Sequence, residues 1–297
     1  MEVSNQKPWH SIGAEVDKND SAAEMLYKAK LDWEVKRVPS QRPISYGNQE
    51  TIRFFKAFFE VAKAEIETVG GLDNGRILWS LACLNEDFTL RGGDKVKGYV
   101  LLASRDDGRE RIEIQFLTVR ESCHNMLKIV SNAKSHMKNI FRSTFKPTFP
   151  FKNEKPQKFD DKMKQKVNDI IVPGREAITA FANVARDLSD KKLDEPIAWR
   201  YLFEVFQPDT LEGVAVIGEK ELDELAEKNT KLAIEAFSQA PGQDLESAKM
   251  TAWGLLNAVI YIIDHQLGST KDYRLRQAWF GSNAKIKKRA LDLALEI

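Results

Sequence analysis

The sequence predicts an α+β fold, with a small antiparallel sheet and flanking helices in the N-terminal half and a mostly helical C-terminal half. Three observations carry this. The run Arg111-Ile-Glu-Ile-Gln-Phe116 alternates apolar and polar residues, the two-residue period of a strand. Arg105-Asp-Asp-Gly108, which precedes it, is a hairpin signal, because Asp-Gly tolerates the positive φ of tight turns. From Lys162 onward, apolar residues recur at helical spacing between Pro-Gly and Gln-Pro breaks.

Residues 1–47 read as an extended arm with one short helix. Ser21 and Glu24 form a capping box for Ala22–Leu31, and Trp9 and Trp33 are placed to anchor the arm onto the core. Residues 48–160 read as the α+β core. Ile52, Phe55, Phe58, Phe59, Ala62 and Ile66 give one amphipathic helix of about five turns that Gly70-Gly71 ends. Strands are expected at 76–84, 97–103 and 109–119. Ile112, Ile114 and Phe116 share one face of the sheet, and the opposite face is expected to meet water. A helix capped by Ser122 or Asn125 then runs to about Phe141, with Met126, Ile129, Val130, Ala133, Met137 and Ile140 inward. Residues 161–297 form the helical region, with helices at 162–172, 176–188, 197–206, 219–239, 245–267 and 283–295.

The composition is ordinary for a globular protein, with 42% hydrophobic residues, 30% charged residues and a formal net charge of +1, so whole-chain electrostatics points to no ligand. One segment departs from that balance. Ser122–Phe159 holds eight lysines and arginines against one acid, Glu154, and five phenylalanines are threaded through it. Lys134, Lys138 and Arg142 fall at four-residue spacing, so a helix presents them on one stripe. Beyond them, a proline-broken loop bears Phe145, Phe149 and Phe151. Cations beside flat rings are what single-stranded nucleic acid binds, by phosphate neutralisation and base stacking. The candidate contacts are Lys128, Lys134, Lys138, Arg142, Phe145, Lys146, Phe149 and Lys152, with a second basic patch at Lys285, Lys287, Lys288 and Arg289.

Enzymatic readings find less support. Gly92-Gly93-Asp94-Lys95 lacks P-loop spacing and precedes a strand. Cys123 and His124 are neighbours in sequence that a helix start would point apart, and no glycine-framed nucleophile occurs. Asp160-Asp161 reads as a helix cap rather than a two-metal site. Two cysteines fit a reducing compartment, and Cys123, His124 and His136 make a poor zinc set, so neither metal nor cofactor is expected. The run Ala258–Ile263 is far short of the ~20 apolar residues of a membrane span. The N-terminus lacks the apolar core of a signal peptide, and the expected location is cytoplasmic.

Five separated blocks carry a family resemblance: Pro8–Gly13, Leu31–Val35, Phe116–Leu127, Thr251–Val259 with Asp264-His265, and Phe280–Ala290. In this order they resemble domain of unknown function 932, the phage/plasmid-like protein family. Two departures stand out: a stretch compressed to Arg37–Tyr46, and Cys123-His124-Asn125 where the family usually has Cys-Gln-Asn. The resemblance implies a mobile-element setting, within the host cytoplasm if a phage encodes the chain. Together with the basic segment it leads to an expected non-catalytic, self-associating protein that binds single-stranded DNA in replication or annealing recombination. The alternative is an interaction protein that inhibits a host defence or replication factor through its Phe-rich loop.

Overall fold

The computed structural model describes residues 7–34, 47–105, 111–129, 148–150, 161–207 and 219–297. A 3₁₀ turn, Pro8–Ser11, leads into strand β1 (Gly13–Glu15) and helix α1 (Ala22–Glu34). The capping box forms as its residues dictate: Ser21 Oγ accepts from the Glu24 N–H at 3.2 Å, and Glu24 Oε2 accepts from the Ser21 N–H at 2.6 Å. Trp9 is buried, whereas the Trp33 side chain lies outside the described ones.

Helix α2 (Gly47–Ala62) buries Ile52, Phe55, Phe58 and Phe59. It stops one turn earlier than its periodicity suggests, because Lys63 turns left-handed at φ 50° and the Ala64 N–H reaches back to the Phe59 carbonyl at 3.0 Å. Ile66 therefore belongs to a strand, β2 (Glu65–Leu72), which also contains Gly70 and Gly71. There follow β3 (Ile77–Leu90), β4 (Asp94–Arg105), β5 (Arg111–Arg120), β6 (Asn125–Lys128) and β7 (Thr148–Pro150). The sheet is antiparallel throughout, and its order β1-β2-β3-β4-β5-β6 follows the chain, with β7 sharing the edge of β5.

Two expectations about β5 and β6 are corrected. Residues 125–128 are a strand rather than the first turn of a helix: the chain reverses at Glu121–His124, with His124 at φ 53°, and pairs back on β5. The rest of the expected helix, 130–141, lies outside the described residues. Nor is one face of the sheet wet along β5. Gln115, on the face opposite Ile114 and Phe116, is 1% exposed because its amide donates to the Trp279 carbonyl.

That carbonyl belongs to the helical half, which is built from α3 (Asp161–Asp190), α4 (Glu195–Val205), α5 (Glu219–Gln239), α6 (Ala252–His265), α7 (Lys271–Phe280) and α8 (Ser282–Glu296). Helix α3 crosses the expected Pro173-Gly174 break unbroken. Pro173 and the carbonyl it leaves without a donor, at Asp169, both belong to exposed residues, so water can replace the lost bond. Gly174 lies against Phe116, where any Cβ would collide with the ring. On the opposite face, Trp279 of α7 meets Trp79 edge to face, with ring centroids 5.0 Å apart. The expected helix at 245–267 is shorter at its start: residues 241–250 form turns, and Thr251 caps α6 by accepting from the Gly254 N–H. Helices thus cover both faces of the sheet around one continuous hydrophobic core.

Candidate nucleic-acid interface

The outer edge of β5 decides where the basic segment is held. Lys128 of β6 lies opposite Leu117, and the Ile129 N–H donates to the Phe116 carbonyl at 2.8 Å. The edge is taken up again by β7, whose Thr148 lies opposite Glu113. Strands β6 and β7 are therefore two halves of one edge strand, interrupted beside Ile114 and Gln115. Residues 130–147 leave and rejoin the same strand at points about 10 Å apart, the span of three residues.

Of the expected contacts, Lys134, Lys138, Arg142, Phe145, Lys146 and Lys152 lie outside the described residues. Phe149 is placed on β7 opposite Ile112, and its side chain is not among those described. Lys128 stands at the root of the excursion, 40% exposed, with its ammonium 3.6 Å from Glu113.

The second basic patch does not act as a unit. Lys285 is exposed, Lys288 pairs with Asp292 at 2.7 Å, and Arg289 spends two donors on the Glu204 carbonyl. Lys287 is 3% exposed and is withdrawn as a nucleic-acid contact, since no phosphate can reach it. Its ammonium pairs with Asp264 and donates to the Met126 carbonyl at 2.7 Å, while the other Asp264 oxygen accepts from the Met126 N–H at 2.8 Å. Carboxylate and ammonium so occupy the places a neighbouring strand would fill, and they close the outer edge of β6. Burial pulls the Lys287 pKa down, and Asp264 opposes it.

The same edge is braced by Asn125, whose amide donates to the Asn257 carbonyl and side-chain oxygen. His265, next to the ion pair, stacks on Tyr261 at 4.6 Å and has a sealed Nε2 without a hydrogen-bond partner among the described residues. Burial lowers its pKa to about 4 despite the Asp264 carboxylate, so the imidazole is neutral at neutral pH.

Two further polar centres tie the sheet to its surroundings. Both Asp94 oxygens accept from Arg120 Nε, at 2.8 and 2.9 Å, and Oδ2 also accepts from Ser247 Oγ and Trp253 Nε1. Arg120 in turn donates to the Gly242 carbonyl at 2.6 Å, so β4, β5, the 241–250 turns and α6 meet at one buried ion pair. Glu67 binds the arm: one oxygen receives Lys7, Trp9 and His10, and the other receives Tyr99. Burial raises the Glu67 pKa, but the donors outweigh it and hold the carboxyl far below the usual range. Cys123 is buried, with a thiol pKa pushed up by that burial, a poor setting for a nucleophile. Among the described residues, no three His, Cys, Asp or Glu side chains are grouped to hold a metal ion.

Residues 38–150, from before α2 to the end of β7, match the model of the family described as Domain of unknown function (DUF932). This segment belongs to that family. The DUF932 match takes in the interrupted β5 edge and, of the five resemblance blocks, Phe116–Leu127. No curated protein and no solved structure matches the chain. Although four of the blocks lie outside the DUF932 match, the fold draws several of them to the matched sheet: Thr251–Val259 supplies Trp253 and Asn257, Asp264-His265 and Phe280–Ala290 supply the β6 seal, and Pro8–Gly13 supplies the grip on Glu67. Sequence reasoning gave no structural role to Glu67, Asp94, Arg120 or Asp264, charges whose partners are distant in sequence. Of the four, only Asp264, directly after the run Ala258–Ile263, carries a local hint of burial.

Proposed function

We propose that the protein binds single-stranded nucleic acid without catalysis, in replication or annealing recombination of a mobile element, and that the cationic segment between β6 and β7 makes the contact. The observation that carries this reading is the interrupted edge strand. A run of cations and phenylalanines is inserted where two residues would complete the ladder, and both its ends are fixed to a rigid sheet. Both ends of this segment are anchored close together, and a local excess of cations favours a polyanion over scattered counterions.

The test is binding of a fluorescent oligonucleotide over a salt series. Six phosphate contacts on a single strand predict a slope of log K against log salt of about −4. Replacing residues 130–147 by two residues should rejoin Ile129 to Thr148 in register, leaving the far-UV spectrum and melting temperature nearly unchanged while abolishing binding. Lys134→Glu/Lys138→Glu/Arg142→Glu should do the same. Absence of binding at low salt, or binding that survives the excision, refutes the reading and leaves the protein-inhibitor role to the Phe-bearing segment.

A further inference from the structure

Helix α4 leaves two large rings in solvent. It buries Ala198, Tyr201, Leu202 and Val205, and its N-terminus is fixed by Asp194, which accepts from the Ile197 N–H at 3.0 Å. Trp199 and Phe203, four residues apart and hence on one stripe, are 53% and 54% exposed. Arg200 and Glu204 lie along one flank of that stripe. They have the spacing of a helical ion pair and yet, among the described residues, form none with each other or with any other side chain.

We propose that this stripe is the contact between two copies of the chain, packed as antiparallel α4 helices about a two-fold axis. The axis passes between residues 201 and 202, which brings Trp199 within one residue rise, about 1.5 Å, of level with Phe203 of the second copy, and Arg200 equally close to level with Glu204. A two-fold of this kind keeps each flank of one helix beside the same flank of the other. The operation that stacks the rings therefore also brings Arg200 alongside Glu204 of the second copy, twice over. One arrangement satisfies both the exposed rings and the unspent charges, which is the charge complementarity an isologous contact needs.

The same charges disfavour a polyanion on this surface. Asp194, Glu195 and Glu204 outnumber Arg200 and the Arg289 held at the Glu204 carbonyl, so a phosphate backbone meets net repulsion beside the rings. Two rings cover much less than the ~800 Å² per partner of a standard interface, so the association is weak and depends on concentration. This gives the expected self-association a surface, and it stands or falls apart from nucleic-acid binding because it is measured without an oligonucleotide.

Sedimentation velocity of the full chain across a concentration series reaching the high-micromolar range tests it. The mass should climb from 33.8 kDa toward its double. Trp199→Asp/Phe203→Asp, both at exposed positions, should hold it at the monomer value with an unchanged melting curve. Arg200→Glu should weaken association several-fold, and Arg200→Glu/Glu204→Arg should restore it. A mass that stays at the monomer value throughout overturns the proposal, as does association undiminished by the double aspartate variant. Quenching of Trp199 fluorescence by an oligonucleotide with the mass still monomeric would reassign the stripe to nucleic acid and refute the dimer.

Discussion

Removing Lys287 would strand the Asp264 carboxylate in the core, the circumstance in which a buried charge is costly. Lys287→Met is expected to destabilise the fold by roughly 3–5 kcal/mol in urea unfolding. Replacing both members of a buried pair by apolar residues is often neutral or better. Here it should not be, because Asp264→Leu/Lys287→Met also deprives the Met126 N–H and carbonyl of their partners. A double variant as stable as the parent would refute the edge-sealing role. His265 contributes a pH dependence of known sign. Its folded pKa, about 4, lies below the ordinary value of 6.5, so the unfolded chain takes the proton first. Its contribution is complete above pH 6.5, declines as pH falls toward 4, and changes no further below that. The difference corresponds to about 3 kcal/mol. Stability measured from pH 7 to 4 should therefore fall less steeply in His265→Gln, and an identical slope would exclude the effect.

Strand β2 shows how an element can be hidden from its own sequence. Ile66 continues the helical spacing of α2, and Gly70-Gly71 resembles a stop. Gly70 is glycine because the Trp79 indole lies across it and across Gly13 on β1, where an added Cβ would come within 2.5 Å of the ring. Gly70→Ala should cost about 1–3 kcal/mol by overpacking. The penalty should shrink in a Trp79→Leu background, and equal penalties in both backgrounds would place the strain elsewhere. Strand β6 was concealed differently: Met126 and Ile129 fit a helical face as well as a strand, and the groups that make it a strand edge come from α6 and α8. What could be read locally was read well. The Ser21–Glu24 box needs only three residues of context, and α5 keeps its helical period over its full length, so both formed where expected. The wet face of β5 failed because a Gln is polar in sequence whether or not a distant carbonyl waits for its amide. The same limit applies to the candidate interface: the excess of cations is visible in the letters, but the double attachment to β5 and the diversion of Lys287 depend on pairings across the fold.

At the scale of the whole molecule, β2 to β6 pair with their neighbours in sequence, while most of the helices that cover them, α3 to α8, are drawn from the far end of the chain. The sheet can therefore be assembled step by step with short-range contacts. Its polar centres cannot be completed in that way, since Asp94 waits for Trp253 and Ser247, and Met126 waits for Asp264 and Lys287. The near-zero net charge gives the assembled particle little long-range repulsion, so its behaviour toward itself and toward nucleic acid is governed by local surfaces. During translation the β6 edge emerges from the ribosome well before α8 does. A nascent chain thus passes through a stage in which this edge strand is unguarded against pairing with a neighbour on the same message, and chaperone cover matters most in that interval.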